Sequence, residues 1–286
     1  MDYSADLFAA DALKWIEEQK ERPFFLYLAL TTPHANNEAG RALKNGQEVP
    51  DLGAYAEKDW TDPNKGQAAM ITRMDGDIGR ILALLEKLSL DKNTLVIFSS
   101  DNGPHKEGGN DPAFFKASGG LRGIKRDLYE GGIRVPFIAR WRGTIAPGQV
   151  SKHVGYFGDV FATLADLTGS PLPPDLDSVS FAPTLLRQAD KQAKHEFLYW
   201  EFHEGGTKQA VLLGANWKGV RNSPSSKIEL YDLAADPAES HDVAADHSDI
   251  ADLIEAYLRT ERTDSPDWPI REPAKKPADP KKDSDK

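Results

Sequence analysis

Three stretches of the sequence carry side chains that could do chemistry together. Thr31-Thr32-Pro33-His34 ends one apolar run, and Ser99-Ser100-Asp101-Asn102-Gly103 ends another. The third, Ser118-Gly119-Gly120-Leu121-Arg122-Gly123-Ile124-Lys125, sets cations in a glycine-rich segment. The Asp101 carboxylate and the Asn102 side-chain carbonyl are hard oxygen donors suited to Ca²⁺ or Mg²⁺. Two donors do not complete a calcium shell, which takes about six to eight oxygens. On spacing alone, residues 101–103 read first as a plain Asn-Gly turn, a very common punctuator. His34 is placed for chemistry if its run is a strand, and is a solvated turn histidine otherwise. His105 is either a substrate contact or a solvated loop histidine.

These side chains need elements to hold them. Phe24 to Leu30 is nearly all apolar, which predicts a buried parallel strand delivering His34 at its carboxyl end. An amphipathic helix over residues 4–20, with Leu7, Phe8, Ala12, Trp15 and Ile16 on one face, is stopped by Arg22-Pro23. Residues 35–63 are polar and rich in glycine and proline, so an irregular excursion is expected. Asp62-Pro63 then opens a long helix to about Leu88, with proline in its first turn.

Thr94 to Ser100 predicts the next strand, and strand–helix–strand order predicts a parallel crossover. Asp101, Asn102 and His34 would then lie at strand carboxyl ends, where open α/β sheets take their ligands. Val135 to Ala139 predicts another strand, preceded by a sharp reversal at Gly131-Gly132. Residues 157–168 form an amphipathic helix stopped by Gly169. Beyond Pro171, Pro173 and Pro174, short runs at 196–202, 210–214, 217–221 and 228–233 predict an antiparallel sheet. Trp200 and His203 in the first of these are candidate substrate contacts, which strand alternation explains equally well. A helix over 249–260 and a disordered tail from 266 follow.

Composition removes several classes of function. The 286 residues carry 35 basic and 45 acidic side chains, a net charge of −10 that disfavours a nucleic-acid partner. No apolar run approaches the roughly eighteen residues that a membrane span needs. The first residues lack a basic region and an apolar core, so no targeting signal is read in them. There is no cysteine, which excludes disulfides, thiolate metal sites and cysteine nucleophiles in this chain.

FFLYLALTTPH at 24–34, SSDNG at 99–103 and LRGIKRDLYEGGIRVP at 121–136 resemble, in that order, the C-terminal motifs of the sulfatase family. Lys125 with Tyr129-Glu130-Gly131-Gly132 is the most specific set. Glu229-Leu230-Tyr231-Asp232-Leu233 and Asp236-Pro237 resemble recurrent features of the family's small subdomain.

The resemblance implies an α/β, alkaline phosphatase-like fold: a mainly parallel sheet flanked by helices, incomplete here, plus a small antiparallel α+β subdomain. It implies divisions at 1–175, 176–265 and a tail at 266–286. It assigns catalysis to His34 and Lys125, substrate contacts to His105, Arg122, Trp200 and His203, and metal ligation to Asp101 and Asn102. Tyr129-Glu130-Gly131-Gly132 is implied to position Lys125. The metal would be Ca²⁺, with Mg²⁺ as the alternative.

The family's nucleophile is a formylglycine hydrate made from Cys or Ser in a Cys/Ser-x-Pro-x-Arg motif. No such string occurs here, so the chain reads as the C-terminal part of a sulfatase and is expected to be inactive alone. The implied substrates are sulfated carbohydrates or small aryl sulfates, and the implied setting of the parent is periplasmic or secreted. Other readings are a phosphomonoester or phosphonate hydrolase of the same superfamily, or a non-catalytic binding module.

Overall fold

In a computed structural model, residues 2–274 are described and fall into two compact units, each interleaved in sequence. The first takes residues up to 117, 136–152 and 182–191; the second takes 118–135, 153–181 and 192 onward.

The first unit is built on two helices. α1 (Ser4–Gln19) buries Ala5, Ala9, Ala12 and Ile16, whose spacing of three and four puts them on one face. That face packs on α3 (Asp62–Lys87), a 26-residue helix with Pro63 in its first turn. Arg73 of α3 forks onto the Asp6 carboxylate at 2.6 and 2.5 Å. The excursion between them is not wholly irregular. It contains α2 (Asn37–Leu43), whose cap Asn36 accepts from the backbone N–H groups of Glu38 and Ala39.

β1 (Val96–Ser99) pairs with β2 (Phe137–Arg140), and the ladder is antiparallel, with Phe98 opposite Ile138. The expected parallel crossover is therefore absent among the described residues. Phe24 to Leu30 forms no strand: Leu30 N–H donates to Leu28 O at 3.1 Å within the run, and Phe25 and Tyr27 are 70% and 80% exposed. An apolar run encodes burial, but a strand also needs a neighbouring ladder for its backbone groups. That neighbour is not written in the run itself.

The second unit is a four-stranded antiparallel meander: β3 (Phe197–Phe202), β4 (Lys208–Leu213), β5 (Trp217–Arg221) and β6 (Glu229–Asp232). Alternation along the strands splits the core between two faces. Ala210, Val220 and Tyr231 pack with Leu128 and Tyr129 on one. Val211 and Leu230 pack with Ile254 and Leu258 of α7 (Ser248–Thr260) on the other. α5 (Asp159–Thr168) ends at Gly169, which takes the left-handed conformation at φ 67°, and the one-turn α6 (Ala182–Leu185) belongs to the first unit.

Gly131-Gly132 is not the expected reversal. It lies within a one-turn helix, α4 (Glu130–Ile133). Residues 266–274, expected within the tail, include two bonds to Thr207: Arg271 O accepts from its backbone N–H at 2.8 Å, and Arg271 N–H donates to its Oγ1 at 2.9 Å. The rest of that tail, 275–286, lies outside the described residues.

A fully buried ammonium ties α4 to the sheet. Lys218 of β5 is 0% exposed and reaches Glu130 Oε1 at 2.8 Å and Glu239 Oε1 at 3.1 Å. The Glu130 N–H donates to the second oxygen of Glu239 at 2.6 Å. Burial pushes the Glu239 carboxyl up from its ordinary value, against the pull of Lys218.

Lys218→Met should cost about 3–5 kcal/mol in urea unfolding, because it strands two buried carboxylates. Adding Glu130→Gln and Glu239→Gln to it should recover most of that loss. Equal stability of the single and triple variants would show that the charges do not matter.

Arg73 holds the Asp6 carboxyl below its ordinary range. A depressed carboxyl stabilises the fold above the unfolded value of about 3.9 and loses that contribution as pH falls through the folded one. Arg73→Gln should therefore cost up to about 1 kcal/mol at neutral pH and nothing once Asp6 is protonated. A pH-independent loss would contradict this.

Candidate functional site

In the first unit, two loops bring His34, His105 and Glu107 together. The 34–47 loop and the 105–110 loop are stitched by backbone and side-chain bonds: Gly46 N–H donates to Gly108 O at 2.9 Å, and Gln47 Nε2 donates to Glu107 O at 2.9 Å. The approach requires glycine at 108. Its φ is 66°, and a Cβ there would lie 2.6 Å from the Ala35 Cβ.

The two imidazoles stack with centroids 5.4 Å apart and planes 24° from parallel. His105 is buried, its Nδ1 accepting from Glu107 N–H at 3.1 Å and its Nε2 facing Pro33 O at 3.3 Å. Those partners fit a neutral ring protonated on Nε2. His34 is the more exposed ring. Its Nδ1 faces Ala35 O at 2.9 Å and its Nε2 faces Glu107 Oε2 at 3.2 Å, so both nitrogens face acceptors. This arrangement orients the exposed ring, which can be presented to an anion or a leaving oxygen. Glu107 was not singled out in the sequence, where it is one charge in a polar Pro-His-Lys-Glu-Gly-Gly loop.

Asp101 and Asn102 follow β1 directly. Asn102 Nδ2 donates to Gly103 O at 2.8 Å, and Ser100 Oγ donates to Asn102 O at 3.1 Å. The Asp101 carboxylate is exposed and has no hydrogen bond or ion pair among the described residues. An unpaired carboxylate beside an amide oxygen suits part of a hard-cation shell. Among the described residues no group of three or more His, Cys, Asp or Glu is placed to hold a metal ion. The donor set thus fits Ca²⁺ or Mg²⁺ as a fraction of a shell and not as a whole one.

In the second unit, Lys125 sits on a tight turn. Asp127 N–H donates to Ile124 O at 2.9 Å, the Asp127 carboxylate accepts from Ile124 N–H at 3.0 Å, and Arg126 takes φ 80°. A positive φ at the third position is the signature of a type II turn. This turn lies directly on the glycine pair of α4. A Cβ at Gly132 would come 2.1 Å from Asp127 O and 2.7 Å from Ile124 O, and one at Gly131 2.3 Å from Gly123 O. The glycine pair and the lysine turn therefore form one packed object.

Arg122, at the start of this loop, faces inward contacts. Its guanidinium donates to Tyr231 Oη at 2.7 Å, Tyr129 Oη at 3.0 Å and Glu239 O at 3.1 Å, and lies 3.8 Å from the Tyr129 ring centroid. Burial pushes the Tyr129 phenol up to about 12. Trp200 packs against the core cluster of Leu128, Tyr129 and Tyr231. His203 Nε2 faces Glu201 Oε2 at 2.9 Å, and its ring lies 5.6 Å from Trp268. These three residues are thus engaged in holding the second unit together.

The family model for sulfatases matches residues 1–170, and that described as N-sulphoglucosamine sulphohydrolase, C-terminal, matches 123–264. N-acetylgalactosamine-6-O-sulfatase of Bacteroides thetaiotaomicron is 31% identical over 283 residues, covering 91% of this chain and 51% of that protein. Steryl-sulfatase of Rattus norvegicus is 34% identical over 243 residues, covering 84% of this chain and 38% of that protein.

A solved structure from work on glycosaminoglycan metabolism by Bacteroides thetaiotaomicron is 30% identical, with a TM-score of 0.68 over 90% of this chain and 54% of its own. The complex of Ps i-CgsB with k-i-k-neocarrahexaose is 23% identical with a TM-score of 0.76, and shares the fold. The chain therefore spans about half the length of the first of these relatives. Its α/β class is the alkaline phosphatase-like one of these structures, as the motifs imply. A family model over residues 1–170 and a relative 31% identical across 91% of the chain make this protein a member of the sulfatase family.

Proposed function

We propose that this chain supplies the anion-holding and leaving-group side of sulfate-ester hydrolysis. The observation that carries the reading is the His34–Glu107 pair, a ring with both nitrogens facing acceptors. In this account the ester oxygen takes the place of Glu107 at His34 Nε2, which donates its proton as the S–O bond breaks, so that an alcohol leaves rather than an alkoxide. Lys125 offsets negative charge on the sulfate oxygens. Asp101 and Asn102 contribute two oxygens to a Ca²⁺ or Mg²⁺ shell. A divalent cation bound there would neutralise charge on the sulfate. His105 supports His34 by stacking, and Arg122, Trp200 and His203 shape the surroundings of Lys125.

The nucleophile belongs to a formylglycine segment that these 286 residues do not contain. The substrate class is sulfated carbohydrate, a reading supported by the names of relatives acting on N-acetylgalactosamine sulfate. The functional division proposed is a catalytic part over 1–175 and a small subdomain over 176–265, acting in the periplasm or outside the cell. Among the described residues no helix is long and apolar enough to cross a membrane.

The purified chain should release no sulfate from an aryl sulfate above background. Joined to the part of the 31%-identical relative that it does not cover, it should do so, and His34→Ala or Lys125→Ala should each lower the rate about 10²–10³-fold. Turnover by the chain alone, or a joined enzyme preferring a phosphomonoester, would overturn the assignment.

Gly132→Ala in the joined enzyme should act through the lysine turn, since a displacement near 1 Å can cost about 10²-fold. Its rate should fall without the substrate's KM changing in proportion. An unchanged rate would separate the glycine pair from Lys125.

A further inference from the structure

Besides the histidine pair, the first unit carries an aromatic cluster that the proposed chemistry does not use. Tyr55 and Trp60 stack at 5.7 Å and 28°. Phe114 and Phe115 meet the indole edge-on at 5.4 and 5.5 Å, and each other at 4.9 Å. The Tyr55 hydroxyl is fixed by Thr72 Oγ1 at 2.9 Å. Phe114 is 47% exposed, and the Lys58 ammonium stands 6.0 Å from the Trp60 ring. The Trp60 indole N–H makes no hydrogen bond among the described residues.

We infer that this cluster is a saccharide subsite, taking a pyranose ring of the substrate next to the sulfated one. The inference rests on the sulfated-carbohydrate reading above and deepens it. Four rings that brace one another are rigid before any ligand arrives, so ordering them costs little on binding. A sugar ring offers an apolar C–H face for an aromatic surface and hydroxyls at its rim. The unbonded indole N–H and the Lys58 ammonium are donors for those hydroxyls or for a second sulfate group.

The cluster also adjoins the histidine loops. Trp60 immediately precedes the start of α3, and Asp111 N–H donates to Asn64 Oδ1 of that helix at 2.9 Å. A Cβ at Gly109 would lie 2.8 Å from Pro63 Cγ. The segment bearing His105 and Glu107 is therefore packed against the segment bearing Trp60. An oligosaccharide whose sulfate sits at His34 has aromatic surface within the same loop group.

The test uses the whole chain, titrated with an N-acetylgalactosamine-6-sulfate tetrasaccharide, with the same tetrasaccharide desulfated, and with inorganic sulfate. The readouts are calorimetry and the indole N–H resonance of Trp60, assigned through Trp60→Phe. Both tetrasaccharides should shift that resonance and inorganic sulfate should not. Phe114→Ala and Trp60→Ala should each weaken both tetrasaccharides about tenfold, a loss near 1.4 kcal/mol. Phe114 is exposed, so its variant tests the site even if Trp60→Ala does not fold.

Tetrasaccharide binding that leaves the Trp60 resonance and both variants unchanged would overturn the subsite, and so would no binding of either tetrasaccharide. Equal affinity for the sulfated and desulfated forms, with the variant losses intact, would keep the subsite and count against the sulfate reading instead.

Discussion

A single buried ammonium governs the second unit. Lys218 is held out of water by the sheet, where an unpaired charge would be prohibitive, and two carboxylates meet it. One of these is Glu130, which opens the short helix carrying Gly131 and Gly132. The other, Glu239, receives the Glu130 N–H and, through its backbone carbonyl, the Arg122 guanidinium. Both ends of the loop that carries Lys125 are thereby tied to the same buried charge. The lysine turn then lies on the glycine pair, where no larger residue leaves room. What reads in sequence as a motif is, physically, one electrostatic clamp with a cation displayed on it.

The first unit solves a similar problem with a different device. Glu107 meets a nitrogen of each of two stacked imidazoles, whose hydrogen-bond partners differ. His105 is satisfied by backbone groups and is buried, so it serves as a fixed platform. His34 is exposed and faces two acceptors, so it is the ring suited to proton donation. A glycine at 108 lets the two loops approach closely enough for this. The unit also displays aromatic rings on the segment packed against the same loops, so a saccharide could be met by surface and by charge at once.

Much of this was legible in the chain. Helix periodicity gave α1, α3, α5 and α7 because each buries one face, and alternation gave the meander because it buries two. The family resemblance rested on Lys125 and Tyr129-Glu130-Gly131-Gly132, residues that the structure joins in one packed loop. What was not legible depended on partners distant in sequence. The apolar run 24–30 looked like a buried strand, yet pairing needs a ladder from elsewhere. Nothing in its strand marks Lys218, whose role comes from two carboxylates 88 and 21 residues away in sequence. Gly131-Gly132 reads as a chain reversal, yet it lies in a helical turn whose glycines let the lysine turn approach, a partner that the pair itself does not encode.

The central claim is that Glu107 acts through His34, which it meets at 3.2 Å. A double-mutant cycle on sulfate release in the joined enzyme tests it most directly, using His34→Ala, Glu107→Gln and the double variant. Groups serving the same transition state are strongly non-additive, so the double variant should lose little more than the worse single one. Losses that simply multiply would mean that the two residues act independently, and would contradict the account.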